Sequence, residues 1–290
     1  MINNMAGLAL EAVNSQNAFM KATGAGTDLA GVTTDVYEAT RLYGSGLDDA
    51  VESATTLFKT TTDYTMMAYE QQKALAETGA VLEELGVSLG DYAMGIQIST
   101  KMLGQNAMQA EATSRELVAF AKDIGVAPEQ MASQFASAGG TLAKFGKDGV
   151  KAFKDISMIS KITGMDMEKI LSITNKFDTF EGAADQAGKL NAALGGNFVN
   201  AMDLMMTTDP AERFNMIRDS ILDAGLSFDD MSYYQKNFYK DALGLSDVGD
   251  LAMMLSGNMD TLTGDLGKNS DELVAMKENA AAVASIQEQL

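Results

Sequence analysis

The chain has 290 residues, a formal net charge of −19, 46% hydrophobic residues and only 7% aromatic ones, with no tryptophan. It has no cysteine and no histidine, which rules out a disulfide framework, a Cys/His zinc site and any Ser-His-Asp or Cys-His nucleophile. The acidic balance repels phosphate backbones and anionic lipid, so no specific nucleic-acid partner is expected.

The apolar mass is Ala, Leu, Met, Val and Ile, with 21 methionines and only two prolines, Pro128 and Pro210. Ala, Leu and Met favour helix, and few breakers interrupt it. Met also fills irregular gaps between helices and tolerates alternative packing. An all-α chain follows.

The segment 1–45 is poorly defined. Met1–Lys21 carries a weak helical pattern with Ala9, Val13 and Met20 on one face, and it lacks the basic start and apolar run of a leader. Ala22–Val32, rich in Gly, Thr and Ala, reads as a loop. A helical region covers 46–110, its pattern running from Leu47 to about Leu85 with a weak point at Thr60–Thr62. No apolar run nears the roughly 18 residues of a membrane span; Leu251–Leu255 and Ala280–Ile286 are far shorter.

From residue 86 onward a punctuation recurs. Gly86, Gly125, Gly164, Gly225 and Gly244 each precede an apolar residue and then a helix-opening Ser, Asp or Ala-Pro. Glycine suits the left-handed residue after a helix, and acids in the next first turn suit the macrodipole. Asp166 and Ser227 are the strongest N-cap candidates. The first three glycines are spaced by 39 residues, near a two-helix repeat, but 225 and 244 break the period. Helical hairpins therefore fit better than a solenoid.

The region 111–260 reads as a helical-hairpin domain. Its clearest helix runs from Met165 to Gly195–Gly196, with Ile170, Ile173, Phe177, Phe180, Ala184, Ala187 and Leu194 at three- and four-residue steps. This heptad seam suggests a coiled-coil segment. Asn191 fills the one missing seam place, either fixing register or facing solvent where the helix frays. After Pro210, the residues Phe214, Ile217 and Ile221 mark a further amphipathic helix, and a partner helix carries Met231, Tyr234, Phe238 and Ala242. The segment 261–290 ends in an Ala-, Glu- and Gln-rich helix, Asp271 to Leu290.

No motif carries catalysis. The run from Gly140 to Asp148 mimics a phosphate loop, but five residues separate its glycines and Asp148 stands where Ser or Thr should ligate magnesium. Gly24-Ala-Gly26 lacks a βαβ setting. The pairs Asp48-Asp49, Glu83-Glu84 and Asp229-Asp230 are not placed in any pocket by the sequence, and two of them read as first-turn acids. Tyr233, Tyr234, Phe238 and Tyr239 read first as core at helical spacing and second as an anchor for a ligand or partner helix. No catalytic residue, cofactor-binding residue or metal ligand is expected, and the protein is not expected to be an enzyme.

The stretch from Ser172 through Phe180, Glu181 and Asn191 to Met202 resembles tail tape measure proteins of tailed bacteriophages. So do Phe120–Met131 and Lys144–Lys154, and the resemblance extends over Ala110–Asn258. It implies a virion structural protein held in the lumen of the phage tail, made in the host cytoplasm. Tail tube and baseplate proteins would be its partners, alongside self-association through helices. Its roles would be tail-length determination, tail assembly and viral genome ejection. This chain lacks the membrane-spanning stretches and peptidoglycan-cutting domain of fuller members. Fully helical, it would reach only about 435 Å at 1.5 Å per residue, so a fragment or one domain of a longer tape measure is expected. The competing expectation is a non-enzymatic cytosolic scaffolding or interaction module with Met-rich contact faces.

Overall fold

Glycine sets the helix ends. The structure, a computed structural model, describes residues 2–256, and every regular element among them is a helix. The glycines at 86, 125, 164, 225 and 244 all take left-handed φ, as the punctuation predicts. At Gly86 the φ is +86°. Val87 N–H donates to Leu82 O at 3.0 Å while Gly86 N–H donates to Glu83 O at 2.8 Å. That pair satisfies the last carbonyls of the helix, in a conformation that a Cβ would strain. The same six-residue bond recurs from Val126 to Ala121 and from Leu245 to Lys240.

The chain divides into two compact units, one reaching Val150 and the other beginning at Lys151. The first holds α1 (Ile2–Thr23), α2 (Thr27–Thr40), α3 (Leu47–Thr60), α4 (Tyr69–Glu84), α5 (Leu89–Lys101), α6 (Ala107–Asp123) and α7 (Pro128–Leu142). Its core mixes small residues, such as Ala50, Ala54, Ala76 and Ala80, with Phe19, Leu57, Leu75 and Ile96. Small residues let helix backbones approach closely. At Gly79 a Cβ would lie 2.4 Å from Ser53 Oγ and 3.0 Å from the Tyr92 ring, so glycine is what admits α3 and α5 to α4. Buried hydroxyls find carbonyls: Tyr92 Oη donates to Leu75 O at 2.8 Å, and Ser53 Oγ to Ala76 O at 2.8 Å.

One expectation fails here. The loop expected over Ala22–Val32 is confined to Gly24–Gly26, because α1 runs to Thr23 and α2 starts at Thr27 and buries Ala30, Val32, Thr33 and Val36. Its threonines are accommodated by bonding back to the preceding turn, Thr33 Oγ1 to Ala30 O and Thr40 Oγ1 to Val36 O, both at 2.8 Å. The helical pattern from Leu47 to Leu85 is met by α3 and α4. It breaks at the threonine cluster, and a short 3-10 turn, Tyr64–Met66, places the Tyr64 ring in the core. Tyr64 and Gln72 then exchange bonds, Gln72 Nε2 to Tyr64 O at 2.7 Å and Tyr64 Oη to Gln72 O at 3.1 Å.

The second unit holds α8 (Gly149–Thr163), whose first turn carries the boundary, then α9 (Met167–Asn175), α10 (Phe180–Leu194), α11 (Ala201–Met206), α12 (Pro210–Asp223), α13 (Tyr233–Leu243) and α14 (Val248–Leu255). Asp166 caps α9, its carboxylate accepting from Glu168 N at 2.8 Å. Phe214, Ile217 and Ile221 are fully buried, as their spacing predicts.

The continuous seam from Met165 to Gly195 does not form. The helix stops at Asn175 and restarts at Phe180. Thr179 caps the restart, accepting from Gly182 N at 3.1 Å, and a Cβ at residue 182 would sit 2.5 Å from Lys176 O. Arg213 of α12 takes the carbonyl that a continuing helix would use: its Nη1 donates to Thr174 O and to Asp178 Oδ1, both at 2.7 Å. Beyond the break the buried stripe of α10 is Ala183, Ala187 and Leu190, leaving Phe180 and Ala184 of the expected seam exposed. Asn191 neither frays nor sets a register. It exchanges two 2.8 Å bonds with the backbone of Val199, folding the chain back after Gly195.

Ser227 accepts from Asp230 N at 3.3 Å but opens only a turn; Ser232 caps the helix that follows. That helix, α13, packs on α10 and α14, while α12 packs on α9 and α14. The expected helix Asp271–Leu290 lies outside the described residues.

Candidate functional site: the exposed aromatic face of α13

Ser232 and Gln235 form a capping box that starts α13, with Ser232 N donating to Gln235 Oε1 at 2.9 Å. The helix then has two apolar faces. Tyr239, Ala242 and Leu243 turn inward, and Tyr239 Oη donates to Ala193 O of α10 at 2.8 Å. Burial raises the Tyr239 phenol above its ordinary range. On the other face Tyr233 is 76% exposed, Tyr234 83% and Phe238 51%. The reading of this aromatic cluster as core holds for Tyr239 alone.

Lys236 Nζ lies 4.2 Å over the Phe228 ring, a cation–π contact that ties the start of α13 to the preceding turn. Tyr233 and Tyr234 meet edge to face at 5.6 Å. Large aromatics left in water on an ordered helix supply contact area at low entropy cost when a partner covers them. Met202 and Met206 of α11 and Phe180 of α10 are likewise exposed in this unit.

Charged groups in the second unit serve the fold. Arg213, nearly buried, also donates through Nε to Thr207 O at 2.9 Å. Lys169 Nζ reaches the buried Asp250 at 2.6 Å, and that carboxylate raises the lysine. Arg218 Nε donates to Met254 O at 3.2 Å. None of these was singled out by the sequence. Apart from Thr207, their partners are 35 to 81 residues away, beyond the reach of helical periodicity.

The acidic pairs separate by setting. Asp49 caps α3, accepting from Gly46 N at 2.6 Å. Asp230 accepts from Ser227 Oγ at 2.6 Å within a turn. Glu83 lies in the last turn of α4, where burial foremost, then Glu52, Asp49 and Glu84, raise its carboxyl. Among the described residues no group of acids is arranged to hold a metal ion. Gly140 sits inside α7, and Gly146 takes φ +52° within the 3-10 turn Ala143–Asp148, so no phosphate cradle follows a strand.

The described chain is thus all-helical with an ordered aromatic surface, and no helix in it is long and apolar enough to cross a membrane. Compared with known proteins, the chain matches no family model, no curated protein and no solved structure.

Proposed function

We propose that the chain is a phage virion structural protein that acts as a tail tape measure, taking part in tail-length determination, tail assembly and genome ejection. The observation that carries this reading is the resemblance across Ser172–Met202, a stretch that covers the end of α9, all of α10 and the start of α11. Two physical features support it. The exposed rings of α13 suit a protein that works inside an assembly rather than alone. The net charge of −19 keeps a lumen-filling protein from adhering to the DNA that must follow it.

The test is made in the phage that encodes the chain. Excising residues 86–124, one inter-glycine interval, should shorten tails by about 60 Å at 1.5 Å per residue. Unchanged tail length, or absence of the chain from purified particles by mass spectrometry, sinks the reading. The exposed aromatics also favour a second reading, a helical scaffolding module outside the virion. Purified particles that lack the chain, with cellular complexes that lose it on Tyr234→Ala, would establish that one instead.

A further inference from the structure

An apolar groove runs along α12. Near the start of that helix it opens about 500 Å³ between α8 and α12. Met158, Ile159, Ile162 and Met216 supply its apolar walls, and Asp155, Asp209, Glu212 and Asp219 stand among them. A second stretch of about 270 Å³ shares Met216 and Asp219 and continues past Leu204 and Phe198 to Asp203 and Asp223. The two stretches together follow the whole of α12, whose 14 residues span about 21 Å.

Charge decides what fits. Six carboxylates line the groove, against a single cation, Lys151. That lysine is already held, its Nζ 2.6 Å from Asp155 Oδ2 and 3.0 Å from Asp209 Oδ2. Asp219 has Arg218 Nη1 at 3.4 Å, and the Arg218 side chain is itself largely buried. Glu212, Asp219, Asp203 and Asp223 are exposed, so their field reaches an approaching ligand. The walls between α8 and α12 are largely apolar, with methionines on both helices that can adapt to the side chains set against them, while the second stretch is more polar.

We propose that this groove docks a basic amphipathic helix of a partner protein. The occupant is about four turns long, with Leu, Ile or Met at helical spacing on one face and Lys or Arg along both flanks. A second copy of this chain is the wrong occupant, because a net charge of −19 would set acid against acid. The proposal needs only the groove and does not depend on the tail reading.

The test uses the whole chain and a fluorescein-labelled 16-residue peptide of leucine and lysine in amphipathic order. Fluorescence anisotropy should show saturable binding. Glu212→Lys with Asp219→Lys should weaken it by about tenfold or more, through faster dissociation and slower encounter. The matched pair Glu70→Lys with Glu129→Lys, first-turn acids of α4 and α7, should leave it unchanged. Circular dichroism melts confirm that both variants fold. Methyl-labelled methionine spectra should shift at Met158 and Met216 and not at the exposed Met66. Absence of binding overturns the proposal. So does equal binding of a scrambled peptide of the same composition, or equal loss in the two charge-reversed pairs. Sedimentation showing that the groove variants split a homodimer overturns it in favour of a second copy.

Discussion

The two units are built from the same helices by different means. The first relies on close approach: alanines, Gly79 against Ser53 and Tyr92, and hydroxyls that donate to carbonyls of the next helix. The second places charge inside: Arg213 against Asp178 and two carbonyls, Lys169 on buried Asp250, Arg218 on Met254 O. Close packing is unforgiving of added volume, whereas a buried charge is unforgiving of a missing partner. Substitutions of opposite kind therefore separate the units.

The largest effect belongs to the second unit. Arg213→Ala removes a buried guanidinium together with its bonds to Asp178, Thr174 O and Thr207 O, and should cost about 3 kcal/mol. Urea unfolding should show the second unit's transition moving to lower denaturant while the first stays in place. A single unchanged transition would mean the guanidinium is dispensable. Gly79→Ala should do the reverse, destabilising the first unit by about 2 kcal/mol because both neighbours are buried. Asn191→Ala removes two bonds to Val199 and should cost about 1–2 kcal/mol, read as faster amide exchange at Val199.

The smallest effects are in pH, and they have opposite signs. Burial foremost raises the Glu83 carboxyl, so its ionised form opposes folding, and stability rises as pH falls through that raised value. Glu83→Gln should stabilise the first unit at neutral pH, by about 0.5 kcal/mol for a half-buried group, and the gain should fade in acid. Burial alone would raise Asp209, but its bonds with Lys151 and with the Glu212 and Ala211 amides prevail and hold it low. Its contribution is fully present above the ordinary aspartate value near 3.9 and disappears only as pH falls below that. Thermal melts of Asp209→Asn against the parent chain between pH 7 and 3 should converge only at the acid end.

How much of this the sequence discloses depends on how far apart the causes lie. Helix ends at Gly86, Gly125 and Gly244 are local, decided within six residues, and are legible. So is the inward stripe of α12. The break at 176–179 is not, because Arg213, which donates to the Thr174 carbonyl there, is 39 residues downstream. Its local signal was Thr179 with Glu181 and Gly182, a cap and first turn hidden inside an apparently unbroken heptad pattern. The exposed face of α13 is hidden from the sequence for a different reason. Both of its faces are apolar, so periodicity could not rank Tyr234 and Phe238 against Tyr239, Ala242 and Leu243. Helix α2 has the composition of a loop, and its threonines are satisfied only once helical.

The bonds closed after Gly86, Gly125 and Gly244 also bear on folding speed. Each joins groups five residues apart, so each stop signal is in place as soon as its own turn has left the ribosome. Loop-closure entropy is small over such spans. In the first unit each helix packs on others one or two places along the chain, so helices there can pair in order of synthesis, which shortens the time that apolar faces wait uncovered.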